Sequence, residues 1–166
     1  MSLETQSPAL EQVRLRRFGE ADLEFLRELY ASTRAQEMAM TGWSRAEQDN
    51  FLRMQFDAQH KFYSEQFPDA AFDVIEKDGA SIGRLYLDRR LDEIRIIDIA
   101  LMPNNRGAGI GGALMQAILD EAGAVDKAVR IHVERNNPAM RLYNRLGFRQ
   151  IEDQGVYWLM EWKQTV

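Results

Sequence analysis

The chain of 166 residues contains no cysteine. That absence excludes disulfides, thiolate metal sites and a cysteine nucleophile together. Histidine is nearly absent too: His60 and His132 stand alone, with no ligand cluster near either, so no metal centre is expected. No run of 18 apolar residues occurs, which excludes a membrane-spanning helix. The opening MSLETQSPAL has no basic stretch ahead of an apolar one, so no secretory signal is read there. With cysteine missing as well, a reducing, cytoplasmic setting is the expectation. Positive charge is also in deficit, with 21 Lys and Arg against 26 Asp and Glu. A net charge of −5 argues against a general nucleic-acid binder. An anionic ligand would need a local positive site.

What is present fits one globular unit. The length predicts a single domain over residues 1–166, and 45% apolar residues suffice for a sizeable core. Residues 13–18, VRLRRF, alternate as a first strand, and ADLEFLRELYASTR follows with Leu23, Leu26, Leu29 and Tyr30 at helical spacing. Ser44 and Glu47 make an S-x-x-E capping box for a second helix that Pro68 closes. Two alternating β runs flank Asp78-Gly79, a hairpin signal. EIRIIDIALM, residues 93–102, reads as a central strand. A helix from Ile110 to about Ala122, a strand AVRIHV and a short helix over residues 136–146 stopped by Gly147 come next. Two strands around residues 153–155 end the chain. The order β-α-α-β-β-β-α-β-α-β-β predicts a mixed α/β (α+β) fold.

The stretch NNRGAGIGGALM poses the functional question. Gly107, Gly109 and Gly112 satisfy G-x-G-x-x-G, and Glu134 lies about where a dinucleotide's ribose would need an acid. Arg106, Gly109 and Gly111 satisfy R-x-x-G-x-G instead. Either way, glycines ahead of a helix expose unpartnered amides at the positive end of its dipole, where a phosphate group is favoured. The dinucleotide reading, an oxidoreductase, conflicts with its context. Pro-Asn-Asn-Arg separates the strand from Gly107, and the residues after Glu134 are too few for further β-α units. A third reading gives the glycines only a tight turn and close helix packing.

A second segment decides. ERNNPAMRLYNRLGF, with Asn136, Ala139, Leu142, Tyr143, Gly147 and Phe148, resembles the N-x-x-A-x-x-L-Y-x-x-x-G-F segment of the GNAT superfamily of N-acetyltransferases. The glycine loop resembles that superfamily's acetyl-CoA loop. The resemblance covers residues 72–162, the acyl-CoA-binding core, and leaves residues 1–70 as a variable acceptor-side region. It implies a mostly antiparallel mixed sheet flanked by helices, with a splayed strand pair forming a slot for the acyl-CoA arm. It further implies that the backbone of Arg106, Gly107, Ala108, Gly109, Ile110 and Gly111 holds the pyrophosphate, that Leu101 and Met102 pair with the pantetheine arm, that Asn136 contacts the cofactor, and that Tyr143 sits near the thioester sulfur.

The implied chemistry is transfer of an acetyl group from acetyl-CoA to a primary amine on a small molecule or peptide. Without cysteine, an acyl-cysteine intermediate is excluded and direct transfer remains. Tyr143 is the candidate acid for the leaving thiolate, its alternative being a tyrosine packed at the edge of the core. Asp98, interrupting the apolar run IIDIA, is the candidate base, since burial raises a carboxyl toward the useful range; its alternative is a structural hydrogen bond. Glu93, earlier on the same strand, is the fallback. Trp43, Phe62 and Tyr63 fit an acceptor pocket or, as aromatic residues at helical spacing, core. Trp158 and Trp162 fit a homodimer contact and core packing equally. A non-catalytic acyl-CoA sensor of the same fold is the remaining alternative.

Overall fold

A seven-stranded sheet in the order β1-β2-β3-β4-β5-β7-β6 organises the chain. The structure, a computed structural model, describes residues 7–165; residues 1–6, which include most of the stretch that carries no secretory signal in its sequence, and residue 166 lie outside them. The strands are β1 (Val13–Arg17), β2 (Ala71–Lys77), β3 (Ala80–Arg89), β4 (Glu93–Leu101), β5 (Ala128–Glu134), β6 (Arg149–Gln154) and β7 (Tyr157–Trp162). The helices are α1 (Leu23–Thr33), α2 (Ala35–Ala39), α3 (Arg45–Gln66), α4 (Ile110–Ala124) and α5 (Met140–Leu146). Every strand pair is antiparallel except β4 with β5. Among the described residues, no helix is long and apolar enough to cross a membrane.

Local chemistry accounts for most boundaries. Ser44 Oγ accepts the Glu47 N–H and Glu47 Oε1 accepts the Ser44 N–H, both at 3.2 Å, so the capping box starts α3 as its sequence requires. Asp78 and Gly79, both at positive φ, make the two-residue hairpin turn between β2 and β3. Gly147, at φ 101°, ends α5. The first helical segment ends at Arg34 (φ −111°, ψ 6°), as its pattern predicts, and the short helix α2 that follows is an addition to the expected order. One expectation needs correction. The last helix starts at Met140, not at residue 136: Asn137 Oδ1 accepts the Ala139 N–H at 2.8 Å, and this side-chain turn replaces the first helical turn.

The sheet divides two cores. On one face Leu85, Leu87, Ile94, Ile96, Val129 and Ile131 pack with Ile110, Leu114 and Ile118 of α4 and Tyr143 of α5. Trp158 and Trp162, partly buried, pack against this same cluster. A second cluster joins α1, α2 and α3 through Leu26, Tyr30, Met38, Leu52 and Phe56. These helices lie across the β1–β4 half, where Phe72 and Tyr63 meet the ring of Tyr86 edge-on.

Candidate active site

The site begins where the sheet comes apart. β4 pairs with β5 only from Glu93 to Ile96, against Ala128 to Ile131. Beyond that, β4 continues to Leu101 on its β3 partner and β5 continues to Glu134 on its β7 partner, leaving a slot between them. The parting coincides with a bulge. Leu87 faces Ile96 but the next β3 residue, Tyr86, faces Asp98, so Ile97 is the extra residue. Strict alternation would put Asp98 on the same face as Ile96. The bulge instead turns it to the α3 side, beside Tyr86 and Arg84, as bulges commonly re-aim a side chain.

Backbone groups line the slot. The Met102 N–H donates to Ile82 O at 2.7 Å and its carbonyl accepts the Asn105 N–H at 2.9 Å. Both backbone groups of Met102 thus have partners within the protein. Alternation along β4 turns Leu101 and Ile99 toward the slot. The Leu101 carbonyl already accepts Arg106 Nε at 3.0 Å, which pins the loop to the strand end.

At one end of the slot lies the glycine loop. Gly107 and Gly109 have φ of 79° and 82°, a left-handed backbone that favours glycine. The first bond of α4 runs from the Ala113 N–H to Gly109 O, so the amides of the residues before Ala113 lack intrahelical partners. Gly109, the N-cap, has no side chain to accept from them. Arg106, Gly107, Ala108 and Gly109 are exposed, and a Cβ on Gly107 would meet nothing within 4 Å. This arrangement suits a multiply charged phosphate group. Asn136 is exposed in the turn that follows β5.

The other end holds the titratable residues. Tyr143, on α5, is 4% exposed and its ring meets Phe148 edge-on. Burial, then the negative charge of Asp98, push its hydroxyl up to about 12. Tyr63 on α3 is raised by the same two causes in the same order. The negative charge of Asp98 thus raises both phenols. Asp98 is not bare in apolar surroundings, as its place in IIDIA suggested. Arg84 Nε donates to its Oδ2 at 2.5 Å, and Arg84 Nη2 donates to Gln59 Oε1 at 2.8 Å. The guanidinium lies 4.7 Å from the Tyr86 ring centre. Sequence reasoning passed over Arg84 and Gln59; the available signal was an arginine inside the apolar run SIGRLYL.

Other candidates fall elsewhere. Glu93 is buried at the far end of β4 among Arg90, Arg95 and Arg130, at 3.5, 3.1 and 3.4 Å. Five residue steps along the strand separate it from Asp98, roughly 16 Å, so the structure sets the two apart. Glu134, the acid of the dinucleotide reading, is bridged by Arg34 at 3.5 Å. His60 stacks on Phe56 with ring centres 5.7 Å apart; burial, then the Arg84 charge, lowers its pKa. Trp43 packs edge-on to Phe51, and Phe62 is exposed. Among the described residues, no group of His, Asp and Glu could hold a metal ion.

Comparison with known proteins agrees with this fold. The chain is 30% identical over 99 residues to an N-alpha-acetyltransferase of Sulfurisphaera tokodaii, covering 51% of this chain and 59% of that one. It is 33% identical over 93 residues to a putative [ribosomal protein bS18]-alanine N-acetyltransferase of Bacillus subtilis, covering 53% and 61%. It is also 29% identical over 94 residues to UPF0157 protein YqkA of Bacillus subtilis, covering 57% of this chain but 27% of that one. The chain thus spans between about a quarter and three fifths of these curated relatives. In fold it is similar to the PaiA N-acetyltransferase of Thermoplasma acidophilum, solved with coenzyme A, at a TM-score of 0.66 and 21% identity over 92% of this chain and 99% of that one. The ribosomal-protein-S18-alanine N-acetyltransferase of Escherichia coli is similar at 0.59, with 20% identity over 91% and 93%. The model of the acetyltransferase (GNAT) family matches residues 25–148. Most of the chain lies inside that match, and the dinucleotide reading falls with it: the chain belongs to the acetyltransferase (GNAT) family.

Proposed function

We propose that the chain transfers an acetyl group from acetyl-CoA to a primary amine by direct attack, with residues 72–162 as the acyl-CoA core and residues 1–70 as the acceptor side. The observation that carries this reading is the parting of β4 from β5 beyond Ile96, with the unpartnered amides of the glycine loop past the end of β4 and Asp98 turned by the Ile97 bulge. The amides of Arg106, Gly107, Ala108, Gly109, Ile110 and Gly111 would hold the pyrophosphate. Ile99 and Leu101 would present backbone groups to the pantetheine arm, and Asn136 would contact the cofactor at the slot's mouth. Acetyl-CoA, when bound, supplies the activated acyl carbon.

The residues then have separable tasks. An alkylamine is neutral in only about one molecule in 10³ at pH 7, a handicap of roughly 4–5 kcal/mol. Asp98 offsets part of it by taking one proton from the ammonium, which frees the lone pair that forms the C–N bond; the nitrogen's second proton passes through solvent to the tyrosine. The C–S bond breaks, and the sulfur takes a proton from Tyr143, which its raised pKa keeps protonated at neutral pH. The proton on Asp98 then leaves with solvent, and the tyrosine recovers its own.

The names of the relatives put protein N-terminal amines among the acceptors to try. The test is free-thiol release from acetyl-CoA with a panel of alkylamines, amino acids, aminoglycosides and alanine-initiated peptides. Amine-dependent release that Tyr143→Phe reduces about 10²-fold or more supports the reading. Binding of acetyl-CoA with no amine-dependent release across the panel would point to a sensor instead.

A further inference from the structure

We propose that Arg84 is a positioning residue for the transfer, fixing the Asp98 carboxylate and tying its placement to helix α3. The proposal rests on the reading of Asp98 as proton acceptor.

Arg84 lies in the middle of β3 and is 4% exposed. Arginine is almost never buried to this degree unless paired. Replacing a buried ion pair by apolar residues is often neutral or stabilising, so stability alone does not account for one here. The guanidinium is held on three sides by three elements: Asp98 of β4, Gln59 of α3 and the ring of Tyr86 on its own strand. Its planar fork is therefore fixed in direction, which a flexible ammonium would not be.

The pair is asymmetric. Arg84's side chain is 5% exposed and that of Asp98 is 28% exposed, so the cation sits inside and the carboxylate reaches solvent. The bond engages Oδ2, which leaves Oδ1 for the acceptor's ammonium. The bulge at Ile97 turns Asp98 to this face, and Arg84 sets the angle at which it is offered. Gln59 belongs to the acceptor-side helix, 25 residues before Arg84. An acceptor that moves α3 thereby moves the carboxylate that receives its proton.

The test uses the full chain, acetyl-CoA and the amine of the panel above with the highest turnover. Arg84→Met is expected to lower kcat about 10²-fold, as misplacement of a reacting group does, with the KM for acetyl-CoA within about twofold of the parent. Arg84→Lys, which keeps the charge and loses the fork, should recover part of that kcat. Once Asp98→Asn is present, adding Arg84→Met should cost no further rate, because the arginine acts through the aspartate. Losses that multiply in the double variant, or a folded Arg84→Met with kcat within about twofold, overturn the proposal. Full activity in Asp98→Asn, or no amine-dependent release from any acceptor, overturns the Asp98 reading itself and this proposal with it. Should Arg84→Met fail to fold, Gln59→Leu carries the test: an expected loss of about tenfold in kcat at unchanged KM for acetyl-CoA, with unchanged kcat overturning it.

Discussion

A Cβ placed on Gly83 would lie 2.3 Å from the carbonyl oxygen of Ala100, a distance real side chains do not adopt. Gly83 of β3 faces Leu101 of β4, the strand that lines the slot, and the same Cβ would meet Leu101 Cδ2 at 2.9 Å. The obstacle is backbone, so a rotamer change cannot relieve it. Gly83→Ala is therefore expected to push the end of β4 out of place. The loss of stability should be about 1–3 kcal/mol, the usual cost of overpacking, measured by denaturant unfolding. Coenzyme A affinity should fall in the same variant, because Leu101 also anchors Arg106 of the loop.

Glu93 makes the converse case, a buried carboxylate held by arginines away from Asp98. Arg90, Arg95 and Arg130 surround it at the closed end of the β4–β5 pair. Glu93→Gln leaves three guanidinium groups without their shared counter-charge. Arg90 and Arg130 keep Asp88 and Glu161 as second partners and about a third of their surface exposed, so the expected loss is about 1.5–3 kcal/mol, the range for a hydrogen bond to a charged group. A drop in Tm with kcat and KM unchanged in the folded fraction is the expected result. A pH–rate profile that loses its acidic limb in this variant would return Glu93 to the catalytic candidates.

What the sequence made legible follows the range of each interaction. The capping box, the Asp78-Gly79 turn and the Gly147 terminus are set by residues within a few positions of one another, and each lies where the pattern put it. The loop and the segment around Tyr143 are likewise local. The Ile97 bulge is not, because it exists only in the register of β4 against β3, and with it the face to which Asp98 turns was hidden. Arg84 illustrates the same limit. Its partners are 14 and 25 residues away on different elements, so nothing in SIGRLYL names them. Met102 reads as the end of the strand, yet its hydrogen bonds to Ile82 and Asn105 depend on where β3 and the loop fold back.

Gly109 offers a test of the loop that leaves the rest of the site in place. Its φ of 82° is a left-handed conformation, while the nearest atom to an added Cβ would be Ala9 Cβ, at an ordinary 3.6 Å. Gly109→Ala thus meets conformational cost without collision, about 1–2 kcal/mol for a side chain held left-handed. If that cost is met by turning the amides away from the ligand, the Kd for coenzyme A rises about 5- to 30-fold. Calorimetric titration with coenzyme A reads this directly, and an unchanged Kd would remove these amides from the binding site.

The Tyr143 hydroxyl, raised to about 12 by burial and by Asp98, ties the site to alkaline stability. An unfolded tyrosine loses its proton near pH 10. Between pH 10 and 12 the unfolded chain binds fewer protons at this position than the native one, so stability falls as pH rises through that window. A shift of about two units corresponds to on the order of 2–3 kcal/mol, present below pH 10 and lost above 12. Tyr143→Phe should flatten that part of the decline in urea melts at pH 9, 10 and 11. The contributions of Tyr63 and Tyr86, which are raised as well, should persist. The same shift means that Tyr143 does not limit the rate by ionising below about pH 11, so any basic limb at lower pH belongs to another group. An unaltered alkaline decline in Tyr143→Phe would show that the hydroxyl titrates normally and is open to water.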